Sequence, residues 1–115
     1  MKALKNCVRL GSTVKIYVPS TLNIDQKADN SKWVDATLEF LATEYGGATA
    51  TKALGAWVSA DIGLVKEGIT LVMAYTNSNT LEATIERVYD YCVSMKLSLT
   101  QEAIALEVNG EMYFV

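Results

Sequence analysis

Glu67 is the residue whose setting is least ordinary for its type. It shares strand parity with Ile69, Leu71, Met73 and Tyr75, so a regular strand would put a carboxylate on an apolar face. Burying it is costly unless a cation or hydrogen bonds compensate, and Lys52 and Lys66 are candidate partners. Such a group suits acid–base work or the orienting of a ligand. The competing reading, favoured on sequence, is that Gly68 marks a bulge that turns Glu67 to solvent. Trp57, closing the run Lys52-Ala-Leu-Gly-Ala-Trp57, offers an indole for stacking on a base, although a core position is expected. Gly46-Gly47-Ala48-Thr49 would let a ligand approach the backbone closely. Those glycines follow a helical pattern instead of preceding one, so a helix C-cap is expected there and not a phosphate loop. The candidate ligand-binding residues are therefore Thr49, Lys52, Trp57, Lys66 and Glu67, with no catalytic set, no metal ligands and no cofactor.

The composition removes several chemistries. The chain has no histidine, which excludes Ser-His-Asp and Cys-His arrangements and the usual general base near neutral pH. Two cysteines, Cys7 and Cys92, are too few for a thiolate zinc site and are expected to be free thiols. The formal net charge is −3 and the cations are scattered, so direct nucleic-acid binding is not expected. A partner with a basic surface suits this charge better than an acidic one. Lys2, Lys5 and Arg9 stand in an N-terminal stretch without a signal-like apolar core. No window approaches the ~20 apolar residues of a membrane span, and a cytoplasmic protein is expected.

The elements that would position these residues follow from hydrophobic period. Residues 1–11 read as an arm, and residues 12–115 as a single domain. Val14, Ile16 and Val18 alternate with Lys15 and Tyr17, a strand with one buried face, ended by Pro19-Ser20. Thr21 to Asn30 is polar and reads as a loop. Val34, Leu38, Leu41 and Tyr45 form one helical face, capped by Asn30 or Ser31 and ended at Gly46-Gly47. The segment 48–59 reads as a strand, 59–63 as a turn, and Leu64–Thr76 as a long strand apolar on both faces. Asn79 with Glu82 suggests a capping box for a helix whose stripe is Leu81, Ile85, Val88, Cys92 and Met95. Asn109-Gly110, between alternating segments, predicts a terminal hairpin.

The order β-α-β-β-α-β plus one strand is the α+β, ferredoxin-like split β-α-β arrangement, with two helices on one face of an antiparallel sheet. The other face must be solvated or packed on a second copy. The double-sided apolarity of Leu64–Thr76 favours a homodimer through that face.

From Lys15 onward the chain resembles small uncharacterised proteins carried by plasmids, integrative elements and phages of gut Firmicutes. The resemblance rests on Lys15-Ile-Tyr-Val-Pro-Ser20, Gly46-Gly-Ala-Thr49, Lys52-Ala-Leu-Gly-Ala-Trp57, Gly63-Leu-Val-Lys-Glu67 and Glu107-Val-Asn-Gly-Glu-Met-Tyr-Phe114. It implies a mobile-element setting, in which small acidic proteins often antagonise host defence. The expected function is thus a non-enzymatic binding protein, either an anti-CRISPR-like inhibitor of a host defence protein or a sponge for a nucleotide-type small molecule. The alternatives are a small cofactor-free ferredoxin-like enzyme, with Glu67 and a tyrosine as its acid–base pair, and a structural accessory protein.

Overall fold

A computed structural model describes residues 1–22, 26–27 and 30–115. Its elements run β1 (Ser12–Pro19), β2 (Thr21–Leu22), β3 (Gln26–Lys27), α1 (Ser31–Tyr45), β4 (Thr49–Ser59), β5 (Gly63–Thr76), α2 (Ser78–Ser98), β6 (Ala105–Val108) and β7 (Glu111–Phe114). The main sheet is antiparallel throughout, in the order β4-β5-β1-β6-β7. With α1 and α2 packed on one face, this is the ferredoxin-like arrangement extended by β7.

Alternation in β1 works as the period-two pattern requires. Ser12, Val14, Ile16 and Val18 are buried, while their neighbours are only partly so. Across from them, Thr70, Val72, Ala74 and Thr76 of β5 are buried on the same face. The helices close this layer with Leu41 of α1 and with Leu81, Val88, Cys92 and Met95 of α2. Two cross-helix hydroxyl pairs tie the layer together: Thr37 with Tyr91 at 2.7 Å and Tyr45 with Thr84 at 2.6 Å. Phe40 stacks on Tyr91 with ring centroids 4.4 Å apart, and Trp33 meets the same ring edge-on.

The punctuation differs from expectation in three places. The cap of α2 is Asn77, whose side chain accepts from the Thr80 amide at 2.8 Å. The helix therefore begins two residues before the Asn79–Glu82 box. Asn30 stands at the N-cap of α1, one of the two positions expected, but its side-chain amide donates to the Pro19 carbonyl and makes no cap hydrogen bond. Within the stretch read as a loop, Thr21–Leu22 pairs with Gln26–Lys27 as a two-stranded ribbon; 23–25 and 28–29 lie outside the described residues. The remaining signals hold. Gly46 ends α1 with φ +88, and Asn109 and Gly110, both at positive φ, turn the terminal hairpin.

β1 stops at Pro19, which pairs with Ile69. Beyond that point β4 and β5 pair only with each other, from Leu54↔Gly68 to Ser59↔Gly63. This distal ribbon carries Leu54, Val58, Ile62 and Leu64 in exposed positions and stretches the molecule to 54 × 28 × 21 Å. Residues 1–11 are exposed, with a single 3-10 turn over Lys2–Asn6. Cys7 is an exposed free thiol and Cys92 a buried one. No helix among the described residues is long and apolar enough to cross a membrane.

Candidate functional site

Register divides the five candidate residues between the two faces of the sheet. Thr49, Gly55 and Trp57 of β4 pair with Met73, Glu67 and Val65 of β5. They lie on the face that the helices leave open. Lys52 pairs with Thr70, and Lys66 with Ala56, so both lysines point to the helix side. Neither lysine can reach Glu67 across the sheet, and neither makes an ion pair among the described residues. The expected Lys–Glu pairing is therefore corrected.

The bulge at Gly68 is also absent. Pairing continues unbroken through Leu54↔Gly68 and Gly55↔Glu67, so Glu67 keeps its parity and stays partly exposed on the open face. Gly68 answers a different demand, close packing against Ser20, whose hydroxyl donates to the Gly68 carbonyl. A Cβ on Gly68 would lie 3.1 Å from that hydroxyl oxygen.

Trp57 is not a core residue either, being 43% exposed. It sits on the strand next to Glu67, displaced by one same-face position. Such diagonal neighbours lie about 7–8 Å apart, within reach of a large aromatic ring. Between them Gly55 leaves a depression, into which Ile69 leans. A Cβ on Gly55 would come 2.7 Å from Ile69 Cδ1. The result is a shallow open-face platform of Val65, Glu67, Ile69 and Trp57 around a glycine. Thr49 is six residues along the ribbon from Gly55, about 20 Å at ~3.3 Å per residue, and lies outside it. Thr49 instead lines a cavity with Gly46, Gly47, Leu10 and Tyr75 at the far end of the sheet.

Sequence reasoning missed a second polar group on the open face. Tyr17 donates to Glu107 at 3.3 Å, and Lys15 pairs with the same carboxylate at 3.6 Å. Burial, then the charge of Glu107 and the hydrogen bond to it, raise the Tyr17 hydroxyl above its ordinary pKa. Tyr17 is therefore a donor at neutral pH. The signal was in the alternation: Lys15 and Tyr17 occupy the positions between Val14, Ile16 and Val18, and the β1–β6 pairing brings Glu107 opposite Lys15. Tyr17 pairs with Leu71, four residues from Glu67 and about 13 Å away by strand rise. The open face thus holds two polar stations joined by apolar ground at Ile69 and Leu71.

Among the described residues no three His, Cys, Asp or Glu side chains converge as metal ligands.

No protein-family model matches the chain, and no curated protein matches it. Two solved structures share its fold over nearly its whole length. A phage SAM lyase in complex with S-methyl-5′-thioadenosine superposes with TM-score 0.65 at 15% identity, covering 95% of this chain and 94% of that one. A phage SAM lyase in the apo state gives 0.63 at 14% identity, covering 92% and 89%. These place the chain in the class of small ferredoxin-like α+β proteins. They also correct the expected function. Both similar structures are of an enzyme, so the expectation of a non-enzymatic antagonist of host defence is not upheld, and the small ferredoxin-like enzyme held as its alternative is the better supported of the two.

Proposed function

We propose that this chain is a lyase acting on an adenosyl sulfonium compound of the S-adenosylmethionine type, releasing a thioether nucleoside. The observation that carries the reading is the diagonal placement of Glu67 beside Trp57 on an uncovered, largely apolar sheet face. The fold shared with a lyase that binds a methylthio-nucleoside supports it.

The chemistry matches those side chains. A sulfonium is a soft cation, which a carboxylate attracts through charge and an indole through its π face. The same indole offers a stacking surface for adenine, as aromatic side chains do for bases generally. Cleaving the carbon–sulfur bond sends its electron pair to sulfur, so the sulfonium becomes a neutral thioether. The departing carbon fragment is balanced in one of two ways: it loses a proton, or it gains a bond from the substrate's own carboxylate. Neither route needs an oxidant, a metal or a histidine. In the first, Glu67 is the group placed to take the proton; in the second, it only holds the cation in line. Because opposite charges vanish in the reaction, an apolar, water-poor surface such as Val65, Ile69 and Leu71 favours the transition state. A second copy packed on this face is the cover we propose for it.

Incubation with S-adenosylmethionine and separation of the products tests this directly. The wild-type chain should yield methylthioadenosine, and Glu67→Gln should lower kcat/KM by about 100-fold or more, in the range of general acid–base or positioning losses. Trp57→Ala should raise KM by roughly tenfold, the loss of one stacking contact. Tight binding of methylthioadenosine without turnover would replace the lyase with a nucleoside-binding protein. The absence of both binding and turnover would sink the proposal.

A further inference from the structure

On the opposite, helix-covered side of the sheet, a cavity of about 350 Å³ opens at the N-terminus of α1, between that helix and β4. Its walls include Asn30, Val34, Asp35, Ala50, Lys52 and Thr70. Three observations meet there. The 15-residue α1 presents its positive end, and the Asn30 side chain, engaged with the Pro19 carbonyl, makes no cap across it. Thr70 is 8% exposed, and its hydroxyl has no hydrogen-bond partner among the described residues. A buried hydroxyl without a partner carries a desolvation cost that a ligand would remove. Lys52 and Asp35 line the same cavity with opposite charges. Neither is in an ion pair among the described residues, with each other or with a third group.

A simple anion would use the helix end and Lys52 but would be opposed by Asp35. A simple cation would meet the reverse. A group carrying both charges on adjacent atoms satisfies all of them. We infer that this cavity is a binding site for the zwitterionic head of a free α-amino acid. The carboxylate faces the α1 N-terminus and Lys52, the ammonium faces Asp35, and the Thr70 hydroxyl bonds the carboxylate. Val34 and Ala50 leave an apolar wall for a short aliphatic side chain. The site is separated by the sheet from Glu67 and Trp57, so its fate is independent of the lyase proposal.

The test is a titration of the ¹⁵N-labelled full chain with L-methionine, followed by amide shifts. Two analogues are run beside it, 3-(methylthio)propylamine, which lacks the carboxylate, and 4-(methylthio)butanoate, which lacks the ammonium, with inorganic phosphate as a plain anion. The inference predicts shifts at 31–35, 50–52 and Thr70 with a Kd near or below about 1 mM. Each single-charge analogue and phosphate should bind at least roughly tenfold more weakly, about 1.4 kcal/mol. Lys52→Gln, Asp35→Asn and the near-isosteric Thr70→Val should each weaken methionine by a similar factor while keeping a folded spectrum. Absence of shifts in these segments overturns the inference. So does phosphate or the butanoate binding as tightly as methionine, or Asp35→Asn improving binding, since each would mark a plain anion site.

Discussion

On the covered face of the sheet, Val14, Ile16, Val18 and Val72 have lost all contact with solvent. On the other face Ile69, Leu71 and Met73, no less apolar, remain partly exposed. One strand, β5, contributes to both faces from alternate positions, Val72 to the first and Ile69, Leu71 and Met73 to the second. The difference lies in what meets each face. Residues from α1 and α2 fill the first, and strand twist and the helix layer leave the second without a counterpart. The covered face is where the fold is held; the open face is where a carboxylate, an indole and a Tyr–Glu–Lys cluster can meet another molecule.

The sharpest way to break this comparison is to truncate one side chain on each face. Ile16→Ala, in the sealed layer, should destabilise the chain by about 2–5 kcal/mol. Leu71→Ala, one strand over on the open face, should cost about 1 kcal/mol. Urea unfolding midpoints measure both. Both are read at the lowest protein concentration; a Leu71→Ala loss that grows with concentration would mark the second copy proposed to cover this face. Glu67→Gln sharpens the contrast from the other side. It should abolish most of the proposed turnover yet shift stability by no more than about 0.5 kcal/mol, because the carboxylate is only partly buried and has no ion-pair partner among the described residues.

Much of the covered face was legible in the sequence, because period carries it. The Val14-Ile16-Val18 alternation and the Leu81 to Met95 stripe each specify one buried surface, and the helices and strands follow. Asn109-Gly110 fixed the last turn through its demand for positive φ. The open face was harder to read, since a half-buried strand surface and a core surface use the same residues. Trp57 and Glu67 therefore looked like opposite anomalies, one assigned to the core and one to a bulge, whereas they are neighbours on one platform. Parity alone separated Lys66 from Glu67, and Lys52 as well once the β4–β5 register was known. A shift of one residue would have exchanged the faces.

The cysteines extend the comparison in a smaller way. Burial pushes the Cys92 thiol from its ordinary 9.0 up to about 12. The unfolded chain therefore releases this proton first as pH rises, and stability should fall between about pH 9 and 12, while remaining insensitive to Cys92 below that window. Urea midpoints taken through the window should decline more steeply for the wild type than for Cys92→Ala. A thiol reagent should label Cys7 at once and Cys92 only on unfolding. A small effect on stability is also expected at Gly55. Gly55→Ala pushes on the tip of Ile69, a flexible side chain that can turn aside. It should change stability by about 1 kcal/mol or less while filling the depression beside Glu67 and weakening nucleoside binding.

The central claim is that the ligand sits on the open face, and amide and indole shifts of the ¹⁵N-labelled chain on adding S-methyl-5′-thioadenosine test it most directly. The two tryptophans serve as probe and control, Trp57 on the platform and Trp33 against Tyr91 in the helix layer. The account predicts that the Trp57 indole and the amides of Val65, Glu67 and Ile69 move together while Trp33 stays still. Shifts confined to Trp33 and the helix layer, or no shifts at all, would contradict it.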